Sequence, residues 1–377
     1  MPKNKRLKPR FWFRWGLVLT VVCLIVMPFL LDHVQHQGTL GQPLAPSETS
    51  IIANTHSSSL RELAEQRGIF IGAAVLIDPF RNDEEYRTLL AREFNALTPE
   101  NAMKFARLHP ERDRYNFTDA ADLVTFAEEH QMHVHGHPLV WHRNLPDWLT
   151  DNDWSRDELM EILRRHIYTV VGRFRGQVDA WDVVNEAVEG RNQLRESIWL
   201  DGIGPEYIQL AFRWAHEADP DAQLFYNDYK GEDLGEKSDA IYQLVRNLVQ
   251  QGVPIHGVGF QMHTSIKDAP DPQDVADNIR RLNDLGLTVR ITEMDVQIYG
   301  VDRPEEELFL AQKQVYHDMM QTCLAAEACN GLTTWGVSDQ YSWIPYFFER
   351  SDAPLVFNEE YQPKPAYEGL VEALVHR

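Results

Sequence analysis

Short apolar runs alternate with amphipathic stretches along most of the chain after residue 60. The apolar runs predict buried strands, and the stretches with an apolar residue at every third or fourth position predict helices. Such an alternation is typical of a parallel sheet with helical crossovers. The predicted strands are 69–75, 94–98, 133–140, 178–185, 223–227, 257–262, 288–292 and 331–336.

The clearest amphipathic stretches lie between these runs, and two of them carry helix start signals. Ser155 precedes one stretch and Pro272 begins another, as is common at helix N-termini. Eight strand–helix repeats within about 310 residues fit one closed (β/α)8 barrel better than an open sheet. The predicted fold class is therefore α/β, with a single TIM barrel. The four stretches are 157–174, 205–218, 237–251 and 272–285.

Chemically capable side chains follow the predicted strands and do not precede them. In a (β/α)8 barrel these strand ends meet at one rim, where the active site lies. One such residue could be a helix cap, but so many strand ends with polar groups are hard to explain by capping. The residues are Glu100 and Asn101, His137, Trp141 and His142, Asn185 and Glu186, Asn227, Asp228 and Tyr229, Gln261 and His263, Glu293 and Asp295, and Trp335.

Two of these residues form a candidate catalytic pair. Glu186 ends the fourth strand and Glu293 ends the seventh. Two carboxylates on one rim, with aromatic and histidine side chains around them, suggest glycosidic bond hydrolysis, which needs one carboxylic acid and one carboxylate. We expect His263 to contact Glu293 and to be held by Asp295, since Glu293 and Asp295 point the same way on a strand.

Aromatic and amide groups offer contacts to a sugar. Asn185, next to Glu186, is placed to bind a sugar hydroxyl. Trp141, Trp335 and Trp343 offer flat faces for pyranose rings, although core packing is an alternative role for each of them.

The N-terminus has the pattern of a targeting segment. Residues 1–14 are basic, and Trp15 to Leu31 is an apolar run of 17 residues, at the short end of what spans a bilayer, roughly 17–25. No small-x-small site follows, which favours an uncleaved signal anchor over a cleaved signal peptide or a core helix. The basic side then stays in the cytoplasm and the body lies outside. We divide the chain into 1–14, the anchor 15–31, a flexible linker 32–58 and the catalytic barrel 59–377.

The net charge and the cysteines restrict the binding partners and the cross-links that we expect. The net charge is −21, and an acidic body repels phosphate backbones, so we expect no nucleic acid partner. Cys323 and Cys329 predict a disulfide in an exported body. A metal site is the alternative, but no further Cys or His lies near them in the sequence.

Seven segments, in order, resemble glycoside hydrolase family 10, the endo-β-1,4-xylanases, over roughly residues 60–375. Two departures stand out, since Pro138 replaces a usual Thr and Lys230 replaces a frequent Asn. The segments are Pro99-Glu100-Asn101-Ala102-Met103-Lys104, Gly136-His137-Pro138-Leu139-Val140-Trp141-His142, Trp181-Asp182-Val183-Val184-Asn185-Glu186-Ala187, Phe225-Tyr226-Asn227-Asp228-Tyr229, Gly259-Phe260-Gln261-Met262-His263, Ile291-Thr292-Glu293-Met294-Asp295 and Thr334-Trp335-Gly336-Val337-Ser338-Asp339.

The resemblance implies roles that spacing alone does not assign. Glu186 matches the family's general acid/base, and Glu293 matches its nucleophile, in a double displacement that retains the anomeric configuration. Trp343 matches a loop tryptophan over the site, and the family often bridges cysteines placed like Cys323 and Cys329. No metal or organic cofactor is implied, and we expect a monomer acting on xylan. The sugar-contacting positions are Glu100, Asn101, Lys104, His137, Trp141, Asn185, Gln261, His263 and Trp335.

Three other hypotheses remain open at this point. The protein is alternatively a β-1,4-glycanase acting on β-glucan or cellulose, or a non-catalytic carbohydrate-binding protein tethered to the membrane. A metallohydrolase would use His133, His135 and His137, which alternate along one predicted strand.

Overall fold

The computed structural model describes residues 58–191 and 193–376. The predicted basic segment 1–14, the anchor 15–31 and nearly all of the linker 32–58 lie outside the described residues, so these remain predictions. No helix in the described ranges combines the length and the apolar character needed to cross a membrane.

Eight parallel strands close into a barrel. The order around the barrel is β11, β1, β2, β3, β4, β7, β8 and β10, and β10 pairs with β11 to close it. The short β9 extends the ladder of β10, and β5 pairs with β6 in a hairpin. The predicted barrel is therefore confirmed. The strands are β1 (Phe70–Val75), β2 (Ala96–Pro99), β3 (His133–Gly136), β4 (Ala180–Asn185), β5 (Val188–Gly190), β6 (Gln193–Leu194), β7 (Gln223–Asp228), β8 (Gly257–Phe260), β9 (His263–Ser265), β10 (Thr288–Gln297) and β11 (Cys329–Thr334).

Helices cover the outside of the barrel and shorter helices lie in its loops. All four predicted helices are present, with ends that shift by one or two residues. Ser155 forms a capping box with Glu158, and Asp271 caps the helix that starts at Pro272. The helices are Leu60–Arg67, Ile77–Asn82, Glu84–Glu93, Phe105–Leu108, Thr118–Glu129, Asp147–Thr150, Arg156–Arg173, Ile198–Ile203, Tyr207–Ala218, Glu236–Gln250, Pro272–Asn283, Glu305–Ala325, Trp343–Phe347 and Pro365–Val375, with a 3-10 turn at Asp339–Tyr341.

Two strands, β3 and β10, differ most in length from their predictions. The third strand was expected to reach Val140, but β3 ends at Gly136 because Pro138 has no N–H to donate to the ladder. Val140 rejoins the barrel only through an isolated bridge with Val184. In contrast, β10 continues past Thr292 to Gln297, because its second half pairs with β9.

The barrel interior is closely packed, and Gly136 is required for that packing. Trp181 is completely buried, and its ring lies so near Gly136 that a Cβ there would be 2.2 Å from it. Any side chain at position 136 would therefore displace the Trp181 ring, and a close-packed core tolerates little overpacking.

The segment after β11 folds back over the rim and is fixed by a buried ion pair. Lys364 donates to Asp339 at 2.7 Å and to the main-chain carbonyls of Ala353 and Leu355 at 2.7 Å. Asp339 also accepts the Leu355 N–H at 2.8 Å. This network holds the segment that carries Trp343.

The predicted disulfide is present between Cys323 and Cys329. It joins the end of the Glu305–Ala325 helix to the first residue of β11, at the end of the barrel opposite the site. A loop this short stabilises a fold by only about 2 kcal/mol in the chain-entropy model.

Candidate active site

Glu186 directly follows the last residue of β4, and Glu293 lies within β10. Both lie on the same rim of the barrel. Glu293 is buried, and the Glu186 side chain is 12% exposed. Neighbouring strands bring three amide side chains between them, from Asn185, Asn227 and Gln261.

These amides form a continuous hydrogen-bonded chain from one carboxylate to the other, which we call the amide relay. Asn227 donates to Glu293 Oε1 at 2.6 Å and to Asn185 Oδ1 at 3.0 Å. Gln261 donates to Asn185 Oδ1 and to Glu186 Oε1, both at 3.2 Å. Because each amide makes more than one hydrogen bond, the relay fixes the orientation of both carboxylates.

His263 lies between two carboxylates, as expected from the sequence. Its Nε2 is 3.1 Å from Glu293 Oε2, and its Nδ1 is 2.8 Å from Asp295 Oδ2. Burial alone would lower the pKa of His263, but the Asp295 and Glu293 carboxylates hold it well above its ordinary value. His263 is therefore a cation that donates to both groups. Trp343 donates its indole N–H to the same Asp295 oxygen at 2.8 Å.

The other oxygen of Glu186 faces a neutral imidazole. His142 Nδ1 is 4.0 Å from Glu186 Oε2. Burial lowers the pKa of His142 to about 4 in spite of the nearby Glu186 carboxylate. Glu186 thus has amide donors on one oxygen and, among residues 58–191 and 193–376, no fixed cation on the other, whereas Glu293 is held by a cation.

His137 is oriented from below by Asp182. Its Nδ1 is 2.8 Å from Asp182 Oδ2, while His135 Nε2 is 2.9 Å from Asp182 Oδ1. Burial opposes ionisation of Asp182, but the two histidines outweigh it and hold the pKa of its carboxyl below the usual range. His137 Nδ1 is also 3.8 Å from Glu293 Oε1, so the imidazole borders the reacting centre.

A further buried carboxyl group, that of Glu100, belongs to the same site. Burial raises the pKa of Glu100 to about 7, against the Lys104 ammonium and the Asn101 amide. Lys104 donates to Asn101 at 2.8 Å and lies 5.3 Å from the centre of the Trp141 ring. Glu100, Asn101, Lys104 and Trp141 therefore form one wall.

Tryptophans form the other walls. Trp335 is nearly buried and packs edge-on against His137 at 5.2 Å and His263 at 6.1 Å, measured between ring centroids. Trp343 lies 5.2 Å from the His263 ring. The structure thus gathers every predicted site side chain around Glu186 and Glu293, while the disulfide cysteines lie elsewhere.

Three side chains that contact this site were given no catalytic or sugar-contacting role from the sequence. Asn227 ends a strand and so carried the right signal, but its partner Glu293 is 66 positions away. Asp182 lies inside a buried strand, where a charged residue indicates a hydrogen-bond or ion-pair partner. Arg195, which donates to the Glu186 main-chain oxygen at 2.9 Å, comes from a loop with no periodic signal.

The histidines of the metallohydrolase hypothesis bind aspartates and do not converge. His133 bonds to Asp179, whereas His135 and His137 share Asp182. Donor atoms of His137, Asp182 and Glu293 do lie within 4.8 Å of one another. Each of these donors already has a protein hydrogen-bond partner, so the group needs no ion to satisfy it.

The model of the glycosyl hydrolase family 10 matches residues 59–373. The chain belongs to glycoside hydrolase family 10. It is 45% identical over 317 residues to endo-1,4-beta-xylanase B of Thermotoga neapolitana, covering 84% of this chain and 91% of that protein.

Solved structures of this family superpose closely on the chain. Native xylanase 10B of Thermotoga maritima matches with a TM-score of 0.81 and 47% identity, over 84% of this chain and 98% of that one. Xylanase 10B of Thermotoga petrophila, solved in complex with xylobiose, matches with a TM-score of 0.82 and 46% identity, over 84% and 97%.

The raised pKa of Glu100 predicts a pH-dependent effect of Glu100→Gln on stability. The folded carboxyl titrates near 7 and the unfolded one near its ordinary value of about 4.3, so the folded state binds the extra proton between these values. The contribution of Glu100 to the free energy of unfolding therefore falls as pH rises through this window. Chemical denaturation should show the variant gaining stability over wild type at pH 8 relative to pH 4.5. A pH-independent difference would contradict the assignment.

Proposed function

We propose that the protein is an endo-1,4-β-xylanase that cleaves internal bonds of xylan with retention of anomeric configuration. One observation carries the proposal: two carboxyl groups in different electrostatic surroundings are joined by the amide relay on the barrel rim. The family membership and the xylanase relatives support xylan as the substrate over β-glucan.

Glu293 serves as the nucleophile. His263 and Asn227 donate to its two oxygens at 3.1 and 2.6 Å, and these hydrogen bonds fix the orientation of the carboxylate. Its carboxylate attacks the anomeric carbon, and the bond from that carbon to the leaving oxygen breaks. The product of this step is a glycosyl ester on Glu293.

Glu186 serves as the acid and then as the base. It transfers its proton to the leaving sugar oxygen in the first step. In the second step the Glu186 carboxylate takes a proton from water, whose oxygen attacks the anomeric carbon and releases Glu293. Its partial exposure and the neutral His142 at 4.0 Å leave Glu186 Oε2 open to an incoming oxygen.

The walls position the sugar. The wall formed by Glu100, Asn101, Lys104 and Trp141 presents hydrogen-bonding groups to the sugar, as do Asn185 and His137. Trp335 and Trp343 present aromatic faces to the pyranose rings. Since the amides and His263 already bind the carboxylates, the reacting groups are preorganised before substrate arrives.

Variants of the two carboxylates separate their roles. Glu293→Ala should abolish turnover of xylan and of aryl xylobiosides alike, since no covalent step remains. Glu186→Ala should reduce xylan turnover by about 100- to 10,000-fold, the usual size of general acid–base catalysis. It should still release dinitrophenolate, which leaves without protonation, in a burst.

Glu129→Gln, which removes an exposed carboxylate at the end of the outer helix Thr118–Glu129, is the control and should keep full activity. NMR of the first product should show the β-anomer. Near-normal xylan turnover in either alanine variant, or initial release of the α-anomer, would overturn the mechanism, and faster hydrolysis of β-glucan than of xylan would overturn the substrate assignment.

We further propose that residues 15–31 anchor the protein in the membrane with the barrel on the extracytoplasmic side. The support is the basic segment 1–14 before an apolar run of 17 residues, together with a disulfide of the kind found in oxidising compartments. After expression in bacteria, the full-length mass should be found in carbonate-washed membranes. A shortened chain in the medium would show that the segment is cleaved.

A further inference from the structure

A cleft of about 670 Å³ opens beside His263, outside the catalytic centre. It lies between the segments that follow β7 and β8, and the turn at Tyr299–Gly300 with Arg350 closes its far side. His263 lines this cleft and also contacts Glu293 at 3.1 Å. The cleft therefore adjoins the catalytic centre through His263.

Two lysines line this cleft with free ammonium groups. Lys230 and Lys267 are both exposed, and within residues 58–191 and 193–376 neither forms an ion pair. The Lys267 ammonium lies against the turn, where a Cβ on Gly300 would be 2.9 Å from it. Lys230 has a left-handed backbone, with φ of 52°, a strained conformation of the kind that clusters at functional sites.

The acidic side chains in the cleft have other partners or are shielded. Glu232 is buried and accepts the Met262 N–H at 2.8 Å. Asp268 accepts from the Ser265 hydroxyl at 3.0 Å. Asp233 is half-buried, and burial raises the pKa of its carboxyl. Within the described residues none of these carboxyl groups forms an ion pair with either lysine, so both ammonium groups remain accessible to a ligand.

The far side of the cleft offers an aromatic face held in place. The Arg350 guanidinium lies 4.1 Å from the centre of the Tyr299 ring and donates to Gln297. Tyr299 is 52% exposed. A ring fixed in this way and open to solvent is suited to stacking against a pyranose.

We propose that the cleft binds a xylosyl unit carrying an acidic sugar, with Lys230 and Lys267 pairing with its carboxylate. The proposal rests on the proposed function, since it names the substrate class of the same groove. Two cationic side chains without ion pairs, beside the reacting centre, are unexpected in a chain whose net charge is −21. Lys230 also stands where the family frequently has Asn, so this charge is a property of this chain.

The test compares two xylooligosaccharides of equal backbone length, one unsubstituted and one with a uronic acid branch. Wild type should have the higher kcat/KM on the acidic substrate at low salt, and the advantage should fade as salt screens the charges. Lys230→Gln and Lys267→Gln should each lower kcat/KM on the acidic substrate by about two- to fivefold, the size of an exposed ion pair. Kinetics on the unsubstituted substrate should stay unchanged, which also reports folding.

Arg164→Gln is the matched control, because it removes one exposed positive charge from the outer helix Arg156–Arg173. It should leave the preference intact. Equal kcat/KM of wild type on the two substrates, or an unchanged preference in the double lysine variant, would overturn the proposal. Failure of wild type to cleave the unsubstituted oligosaccharide would instead reject the proposed function.

A separate observation concerns the backbone of Glu186, which is left-handed with φ of 56°. That conformation costs a non-glycine residue of order 1–3 kcal/mol and persists only when the surroundings enforce it. The Glu186 N–H donates to the Asn227 carbonyl at 2.9 Å, and Arg195 Nε donates to the Glu186 carbonyl at 2.9 Å. Both main-chain groups of the acid are therefore fixed.

Arg195 is itself anchored at several points. Its terminal nitrogens bond to the Tyr229 hydroxyl at 2.7 Å and to Glu189 at 2.5 Å, and its main-chain N–H bonds to the Ala187 carbonyl at 2.8 Å. Lys237 lies 3.3 Å from the centre of the Tyr229 ring. The guanidinium thus ties the loop after β4 to the loop after β7.

We infer that Arg195 is a positioning residue, which aims the Glu186 carboxyl at the leaving oxygen by holding its left-handed main chain. Arg195→Lys keeps the charge but loses the fork that reaches both Glu186 and Tyr229. A misplaced acid matters only when the leaving group needs its proton. The variant should lose about ten- to hundredfold in kcat on xylan, with KM little changed, and less than about twofold in kcat/KM on a dinitrophenyl xylobioside.

Arg191→Lys is the control, since Arg191 lies on the same hairpin with its side chain 83% exposed, and it should match wild type on both substrates. Equal losses on both substrates would indicate a merely structural role and overturn the inference, as would full activity on xylan. Glu186→Ala, measured in parallel, should show the same split between the two substrates, with a larger loss on xylan than Arg195→Lys and little loss in kcat/KM on the dinitrophenyl xylobioside. Absence of the split there would reject the acid/base assignment itself.

Discussion

The site depends on the need of buried amides for hydrogen-bond partners. Asn185, Asn227 and Gln261 are almost completely enclosed, and an unpaired buried amide costs about 1–3 kcal/mol. They satisfy one another and the two glutamates, so rotation of one amide would leave several groups unpaired. The positions of both carboxylates therefore follow from the same constraint that stabilises the top of the barrel.

Charge is distributed around this relay in an asymmetric way. A cationic His263 stands beside Glu293, whereas Glu186 faces amides and a neutral His142. Glu100 carries a carboxyl whose proton burial retains to about pH 7. Placing the fixed positive charge on one carboxylate alone lets two chemically identical side chains take different roles in one pocket.

Much of this arrangement was predictable from local pattern, because strand ends in a barrel share a rim. Glu186, Glu293, His263 and Asp295 were found by this rule, and the contacts of His263 with both acids agree with it. The end of β3 was misplaced because the apolar pattern continues beyond Pro138, which cannot donate to a ladder.

Other features depend on contacts between distant positions, which no local pattern records. Asp182 orients His137 from 45 positions away, and Arg195 reaches Glu186 from an irregular loop. The left-handed backbone of Glu186 is similarly a product of its surroundings, since nothing in a Val-Val-Asn-Glu-Ala run predicts it.

The buried lysine network after β11 has a consequence for the catalytic cycle. Lys364 donates to the Asp339 carboxylate and to two main-chain carbonyls at once. Displacing the segment between Asp339 and Lys364 would therefore leave three buried acceptors without a hydrogen-bond donor. This stretch therefore moves with the core and does not act as a hinged flap. Access of the polymer to the catalytic pair is therefore along the groove and does not require this segment to open.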